Sequence, residues 1–379
     1  MAYPDLTEPG VTCLLLRTLL MAGLLAAGPA AAQGGGGACA DPVPEDEWSV
    51  LAPLATRSLM LDLARVGDVL VAVGDRGHVV ISEDHGRTWT QQRTPTRSLL
   101  TGVWFHDRKL GWAVGHDAVI LRTEDGGASW CRVHWAPEQE QPLLDVWFET
   151  AEHGIAVGAY GYLLRTTDGG RTWAEETLEL VAAGADDPLA GENGRSGDDE
   201  PAPDDETDEE GEEEWDEDFN LGGDFHLNKI VVAGGGDLYL AAEAGTLYRS
   251  SDAGRTWEQL ASPYDGSFFS GLAGEGGPVM MFGLRGNAFI SSDLGASWQP
   301  VEMPADASLF GGARLSDGSI VLVGASGVML IGRGADGYRL VQRDDRKVLV
   351  ALLEAADGGV VVVGEPGVLR LERAFLAAD

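Results

Sequence analysis

GYLLRTTDGGRTW, residues 161–173, is a phrase that the chain uses five times. HVVISEDHGRTW ends at Trp89, AVILRTEDGGASW at Trp130, TLYRSSDAGRTW at Trp257 and NAFISSDLGASW at Trp298. Each copy is a β-rich run followed by Ser/Thr-x-Asp-x-Gly-x-Thr/Ser-Trp, and self-similarity of this strength governs how the rest is read. The pattern has a mechanical reason. An Asp at the head of a tight turn accepts hydrogen bonds from backbone N–H groups ahead of it, and the hydroxyl residues add further turn bonds. The Gly two residues on takes a positive φ at little steric cost. The Trp opens the next strand and buries a large ring. Asp84, Gly86 and Trp89, then Asp125, Gly127 and Trp130, then Asp168, Gly170 and Trp173 are thus expected to form hairpin clasps. Asp252, Gly254 and Trp257, with Asp293, Gly295 and Trp298, complete the set, all turn formers before anything else.

Outward from the clasps, each unit opens on an apolar strand. These are SLMLDLARV from Ser58, SLLTGVWF from Ser98, PLLDVWF from Pro142 and FHLNKIVV from Phe225. SFFSGLAG from Ser267, SLFGGARL from Ser308 and VLVALLEA from Val348 follow. A second apolar strand then ends in a small-residue turn: VGDRG at Val73, VGHDA at Val114, VGAYG at Val157, AAEAG at Ala241, FGLRG at Phe282, VGASG at Val323 and VGEPG at Val363. Glycines at both ends of a two-residue loop suit a hairpin between strands buried on both faces. The turns count seven units. Trp89 to Trp130 is 41 residues, Trp130 to Trp173 is 43 and Trp257 to Trp298 is 41. Four-stranded units of that length predict an all-β chain folded as a seven-bladed β-propeller. The clasp is worn in unit six, GRGADGYRL near Tyr338, and absent from unit seven. Unit seven also supplies only three strands before the chain ends. EWSVLAP, Glu47–Pro53, is therefore expected to be its outer strand, with Trp48 beside it, closing the ring.

Charge bounds the partners. The 379 residues hold 61 acidic against 26 basic side chains, a formal charge of −35, which argues against electrostatic binding to nucleic acid or to an anionic membrane face. About half of that charge sits in one place. Residues 186–218 contain 18 acids against Arg195 alone. Such a run cannot repay its ordering entropy, so residues 183–221 are expected to be a disordered insertion between blades three and four. A solvating loop, a docking tail for a basic partner and a loose calcium binder are its possible uses, with Trp215 and Phe219 its most motif-like residues. No EF-hand spacing is present, and no CxxC or His/Cys pattern suggests zinc, so neither a metal nor another cofactor is expected.

The N-terminus reads as an export signal over residues 1–32. TLLMAGLLAAG from Thr18 is too short to span a bilayer comfortably, follows Arg17 and precedes a small-residue site at Ala30-x-Ala32. Asp5 and Glu8 sit where basic residues are usual. A periplasmic location is expected, with a lipid-anchored or uncleaved form as the alternative. Residues 33–46 read as a flexible spacer and 47–379 as the propeller. Loss of the signal leaves Cys39 and Cys131, an even pair whose bonding the spacing does not reveal.

Alternating strand direction puts the clasps on one rim and the small-residue turns on the other, around the channel mouth. On that second rim fall Arg57, Asp75, Arg76, Arg97, His116, Asp117, Gln141, Tyr160, His226, Glu243, Arg285 and Glu365, a mixed set fit for a peptide or a sugar. His78, His106, His134 and His153 stand singly and read as structural or surface residues.

The clasp resembles the Asp-box, or bacterial neuraminidase repeat, which sits at the outer turn of propeller blades and usually away from ligand sites. Sialidases share it. They also need a Tyr nucleophile with an acidic partner and an arginine clamp. Tyr160 with Arg57, Arg76, Arg97 and Arg285 could furnish those groups, but the Phe/Tyr-Arg-Ile-Pro motif is missing. Over blades two and three, SLLTGVWFHDRKLGWAVGHDAVILRTEDGGASW and LLDVWFETAEHGIAVGAYGYLLRTTDGGRTW resemble the photosystem II stability/assembly factor family. The likeness extends over about Leu54 to Arg373. It implies a non-enzymatic, monomeric scaffold that holds a membrane protein during assembly. The acidic balance and insertion depart from the photosynthetic members and point to a non-photosynthetic bacterial relative, with an inner-membrane protein as partner.

Overall fold

Seven runs of apolar residues, each ending in a small-residue turn, become the second strands of seven antiparallel sheets. The computed structural model describes residue 39 and residues 42–181, 225–274 and 277–377. The signal expected over 1–32 and the insertion expected over 183–221 lie outside the described residues. Blade one is Met60–Val66, Val69–Gly74, Val79–Ser82 and Thr90–Gln92, paired in chain order. Blades two to six repeat this order, starting at Leu100–Phe105, Leu143–Phe148, Leu227–Val232, Phe268–Ala273 and Leu309–Arg314. Blade four gains a fifth strand, Leu180–Val181, parallel to its outer Trp257–Gln259. Blade seven is three-stranded: Leu349–Glu354, Val360–Gly364 and Gly367–Leu371. Among the described residues no helix is long and apolar enough to cross a membrane.

Packing explains the patterning. The second strands of blades two to seven are buried at every residue, because a neighbouring blade covers each face. The core is accordingly divided into seven apolar clusters, one at each seam between blades. The small-residue turn differs from the expected two-residue loop. Asp75–Gly77 is a three-residue turn in which the His78 amide donates to the Asp75 carbonyl at 2.9 Å, with Arg76 at φ 53°. The first glycine serves contact instead of φ: a Cβ on Gly74 would stand 2.2 Å from the Leu59 carbonyl oxygen.

The five clasps share one set of bonds. Ser82, Thr123, Thr166, Ser250 and Ser291 donate their hydroxyls to the clasp aspartate at 2.8–2.9 Å. The same hydroxyls accept the glycine N–H at 2.8–3.0 Å. Each aspartate also accepts the backbone N–H four residues on, at 2.8–2.9 Å, and that residue's hydroxyl at 2.5–2.8 Å. Thr88 and Ser297 thereby hold Asp84 and Asp293 well below the ordinary carboxylate range, Asp293 at about 2. Burial opposes the same shift at Asp125, Asp168 and Asp252, and the hydrogen bonds outweigh it.

The clasp is also a wedge against the preceding blade. A Cβ on Gly170 would stand 2.2 Å from the Trp112 indole nitrogen of blade two, and one on Gly254 3.0 Å from Ile155 of blade three. Arginines on the preceding blade cap the wedge: Arg122 Nε donates to the Gly169 carbonyl at 2.7 Å and Arg165 Nη2 to that of Gly254 at 2.6 Å.

The ring closes without the expected strand. Glu47–Pro53 makes no ladder with blade seven, and Trp48 packs on blade one, with the Arg93 guanidinium 5.2 Å from its ring. Arg97 Nε donates to the Trp48 carbonyl at 2.8 Å, and the Ser49 amide donates to the Thr94 carbonyl at 2.9 Å. Farther upstream Glu47 pairs with Arg132 at 2.7 Å, and Cys39 is disulfide-bonded to Cys131, both on blade two. A covalent tether and an ion pair thus draw the arm across blades two and one, where a three-residue ladder on blade seven would have to outweigh them. This arm includes the described end of the expected spacer. Closure falls to the blade-one clasp. Gly86 abuts Val361 of blade seven, Arg370 Nη1 donates to the His85 carbonyl at 2.6 Å, and Arg87 pairs with Asp357 at 2.7 Å.

Two predictions follow from these bonds. The depressed clasp aspartates contribute stability that is complete above the unfolded value near pH 4 and is lost as pH falls toward about 2. Thermal unfolding followed by circular dichroism should therefore show Tm dropping across that window, with a shallower drop in a D84N/D293N variant; equal slopes would contradict it. The C39S/C131S variant should lose about 2–4 kcal/mol in urea unfolding and be cut faster within residues 42–57 by protease. Unchanged stability and cleavage would show the tether idle.

Candidate functional site

The rim of small-residue turns separates into tied and free groups. Its acids are mostly tied. Asp117 accepts the Ser98 hydroxyl at 2.5 Å, Glu243 accepts the His226 amide at 3.2 Å, and Glu365 accepts the Val348 amide at 2.9 Å, so each braces the strand entering its own blade. Asp75 pairs with its neighbour Arg76 at 3.4 Å. Arg97 is committed to Trp48, and Gln141 is half-buried. Arg57, His116 and Arg285 are exposed and make no ion pair among the described residues.

One rim group is brought together across a seam. Tyr160 of blade three meets His226 of blade four edge to face, ring centroids 4.9 Å apart, and His226 Nδ1 lies 3.4 Å from Glu243. Tyr160 remains 53% exposed. The arginines stay apart from it. Arg57, Arg76 and Arg97 stand about blade one and Arg285 on blade five, and none of them is bonded to Tyr160 among the described residues. His78 and His134 are held below the ordinary imidazole value by burial, as expected of structural histidines.

Sequence reading passed over the polar groups at the axis. Every innermost strand slips register at its start. These bulges bring Leu61, Thr101, Leu144, Asn228, Phe269, Phe310 and Val350 to line a central cavity of about 320 Å³. Within it Lys229 Nζ lies 3.0 Å from Asp145 and 3.6 Å from Asp62. Asp62 also accepts the Val103 amide of blade two at 3.0 Å, and Asp145 the Ile230 amide of blade four at 2.9 Å, so the carboxylates brace adjoining blades. Burial pushes the Asp145 carboxyl up against the pull of Lys229. Burial also works against the Lys229 ammonium, but Asp145 and Asp62 outweigh it and hold the amine protonated. The signal was present: an Asp or Lys at the third position of three mostly apolar opening strands, Asp62, Asp145 and Lys229. Among the described residues no three His, Cys, Asp or Glu side chains converge as a metal site.

No family model and no curated protein matches the chain. Solved structures do. YCF48 bound to a D1 peptide is 16% identical, with a TM-score of 0.59 over 86% of this chain and 96% of that one. YCF48 from Cyanidioschyzon merolae is 17% identical, TM-score 0.60, over 86% and 98%. A streptogramin B lyase is 10% identical, TM-score 0.61, over 84% and 94%. Likeness at these identities is likeness of fold, shared by a peptide-bound protein and a lyase alike.

The axial trio yields a test. Lys229→Met leaves the buried Asp145 carboxylate without its counter-ion and should cost about 3 kcal/mol at neutral pH. The sign follows from Asp145: with its folded pKa raised further, the penalty is full above that value and vanishes once both states are protonated. The stability gap between variant and parent in urea titrations should shrink as pH falls toward 4; a gap independent of pH would assign Lys229 no electrostatic role.

Proposed function

We propose that this chain is a non-enzymatic scaffold or assembly factor of the periplasm, a monomer that holds a membrane-protein partner against the propeller's rim. The observation that carries it is the sorting of rim charges. Asp117, Glu243 and Glu365 are spent on bonds to the strands entering their blades, while Arg57, Arg285, His116 and Tyr160 face outward. Arg and Tyr are the residue types that anchor protein interfaces. The YCF48 likeness supports the reading, since one such structure carries a D1 peptide. Export rests on the apolar leader and its cleavage site. A partner lying in the inner membrane follows from the family resemblance read in blades two and three.

Glycan binding or hydrolysis is the second reading. It draws on the sialidase-like clasp motif and on the lyase among fold neighbours. The separation of Tyr160 from the arginines weighs against it.

Crosslinking in native envelope, with identification of the attached protein, decides between them. A triple R57A/R76A/R285A variant with unchanged Tm should lose about tenfold in crosslinked product, as truncation of interface anchors does. Undiminished product would remove the rim as the docking face. Cleavage of fluorogenic sialosides that Tyr160→Phe abolishes would replace the scaffold reading with the enzymatic one.

A further inference from the structure

Blade seven is the one sheet whose third strand lacks an outer neighbour among the described residues. The other six blades each lay an antiparallel outer strand there. Exposure follows the omission. Val368, Leu369, Arg370 and Leu371 are all only half-buried, whereas the third strands of blades one to four are buried at three of four positions. The chain's own candidate for the place is held elsewhere, by the Cys39–Cys131 disulfide, the Glu47–Arg132 pair and the Ser49–Thr94 bond. The end of the arm and the segment that follows it do reach blade seven, Ala52 and Ala55 packing in the cluster with Val361 and Val363. The Thr56 carbonyl lies where a Cβ on Gly367 would stand 2.0 Å from it, just as Thr96 lies over Gly77 in blade one at 2.2 Å. The seam is thus complete at the rim end and open along the strand below.

We propose that the free edge of Gly367–Leu371 is a strand-addition site for an extended segment of a protein partner. The walls set its side chains. Val50, Leu51 and Leu54, 59–61% exposed, stand on the blade-one side, and Phe375, 45% exposed, stands on the helix that follows the strand. A segment of about four residues with apolar side chains suits a slot of this length. Charge sets its polarity. An antiparallel strand enters beside Glu372, which pairs with Arg370 at 3.4 Å yet stays 73% exposed in its side chain, and leaves beside Arg57, which has no ion pair among the described residues. The segment therefore carries a cationic residue at its leading end and an anionic one at its trailing end. This site touches the rim only at Arg57 and does not depend on the rim's role.

Backbone hydrogen exchange of the full chain, disulfide intact, tests it with two capped peptides at millimolar concentration, Lys-Val-Thr-Val-Glu and its charge reversal Glu-Val-Thr-Val-Lys. In the free protein the outward amides among residues 368–371 should exchange at least about tenfold faster than those among residues 79–81. The Lys-first peptide should slow them about tenfold, and the reversed one should not. Arg57→Glu should weaken the effect of the Lys-first peptide; R76A and R285A, which test the rim, should leave it unchanged. Edge amides already protected without peptide would overturn the proposal: protection that survives dilution means the chain fills its own edge, and protection lost on dilution means a second copy does. Failure of both peptides, or equal protection by both, overturns it as well.

Discussion

The glycine of each clasp, pressed against a hydrophobic side chain of the blade before it, is the contact on which the ring depends. A sheet of four short strands has two apolar faces and cannot hide either by itself. The clasp solves both halves of this problem at one point. Its bonds fix the turn, and its missing Cβ lets the turn sink into the seam, as where Gly295 meets Leu260. The Trp indole then ties the same glycine back, donating to its carbonyl at 2.8–3.2 Å in four of the clasps. Trp298 is the exception, its buried indole nitrogen lacking a partner among the described residues.

Blades six and seven show that the seam matters more than the motif. Blade six has only the worn hairpin, and there Tyr338 takes the wedge position, its ring in the cluster with Met280 of blade five. Blade seven has no clasp hairpin among the described residues. The short helix Arg373–Ala377 turns back instead, puts Leu376 into the cluster shared with blade six and pairs Arg373 with Asp317 at 2.7 Å. Asp317 occupies the loop that in blade seven supplies Asp357 to Arg87 of the blade-one clasp. Different local chemistry therefore meets one requirement of the ring.

At the other end of the blades the polar groups obey a stricter rule. Asp62, Asp145 and Lys229, which sit inside, are satisfied by neighbouring blades, and the rim residues separate into tied and free ones. Glu243 and Glu365 find amides and Asp117 a hydroxyl at strand entries, whereas the guanidiniums of Arg57 and Arg285 find no such partner and stay in water. The rim set was legible as residues at turns. Which of its members were free was not, because that depended on backbone amides brought in from another stretch of chain.

The sequence by itself determined what repeats: the number of blades, the places of the two turns, the fully buried second strands and the five clasps. These follow from local rules, since turn chemistry and strand patterning act over a few residues. Tertiary structure alone decided what does not repeat. The path of Glu47–Pro53 was set by Cys131 and Arg132, far along the chain, so a strand with suitable local character was carried to blade one and the edge of blade seven was left bare. The axial trio likewise exists only because three bulges in separate blades aim at one axis. Ring closure couples residues that no local pattern connects, and there the sequence could supply candidates but not the choice among them.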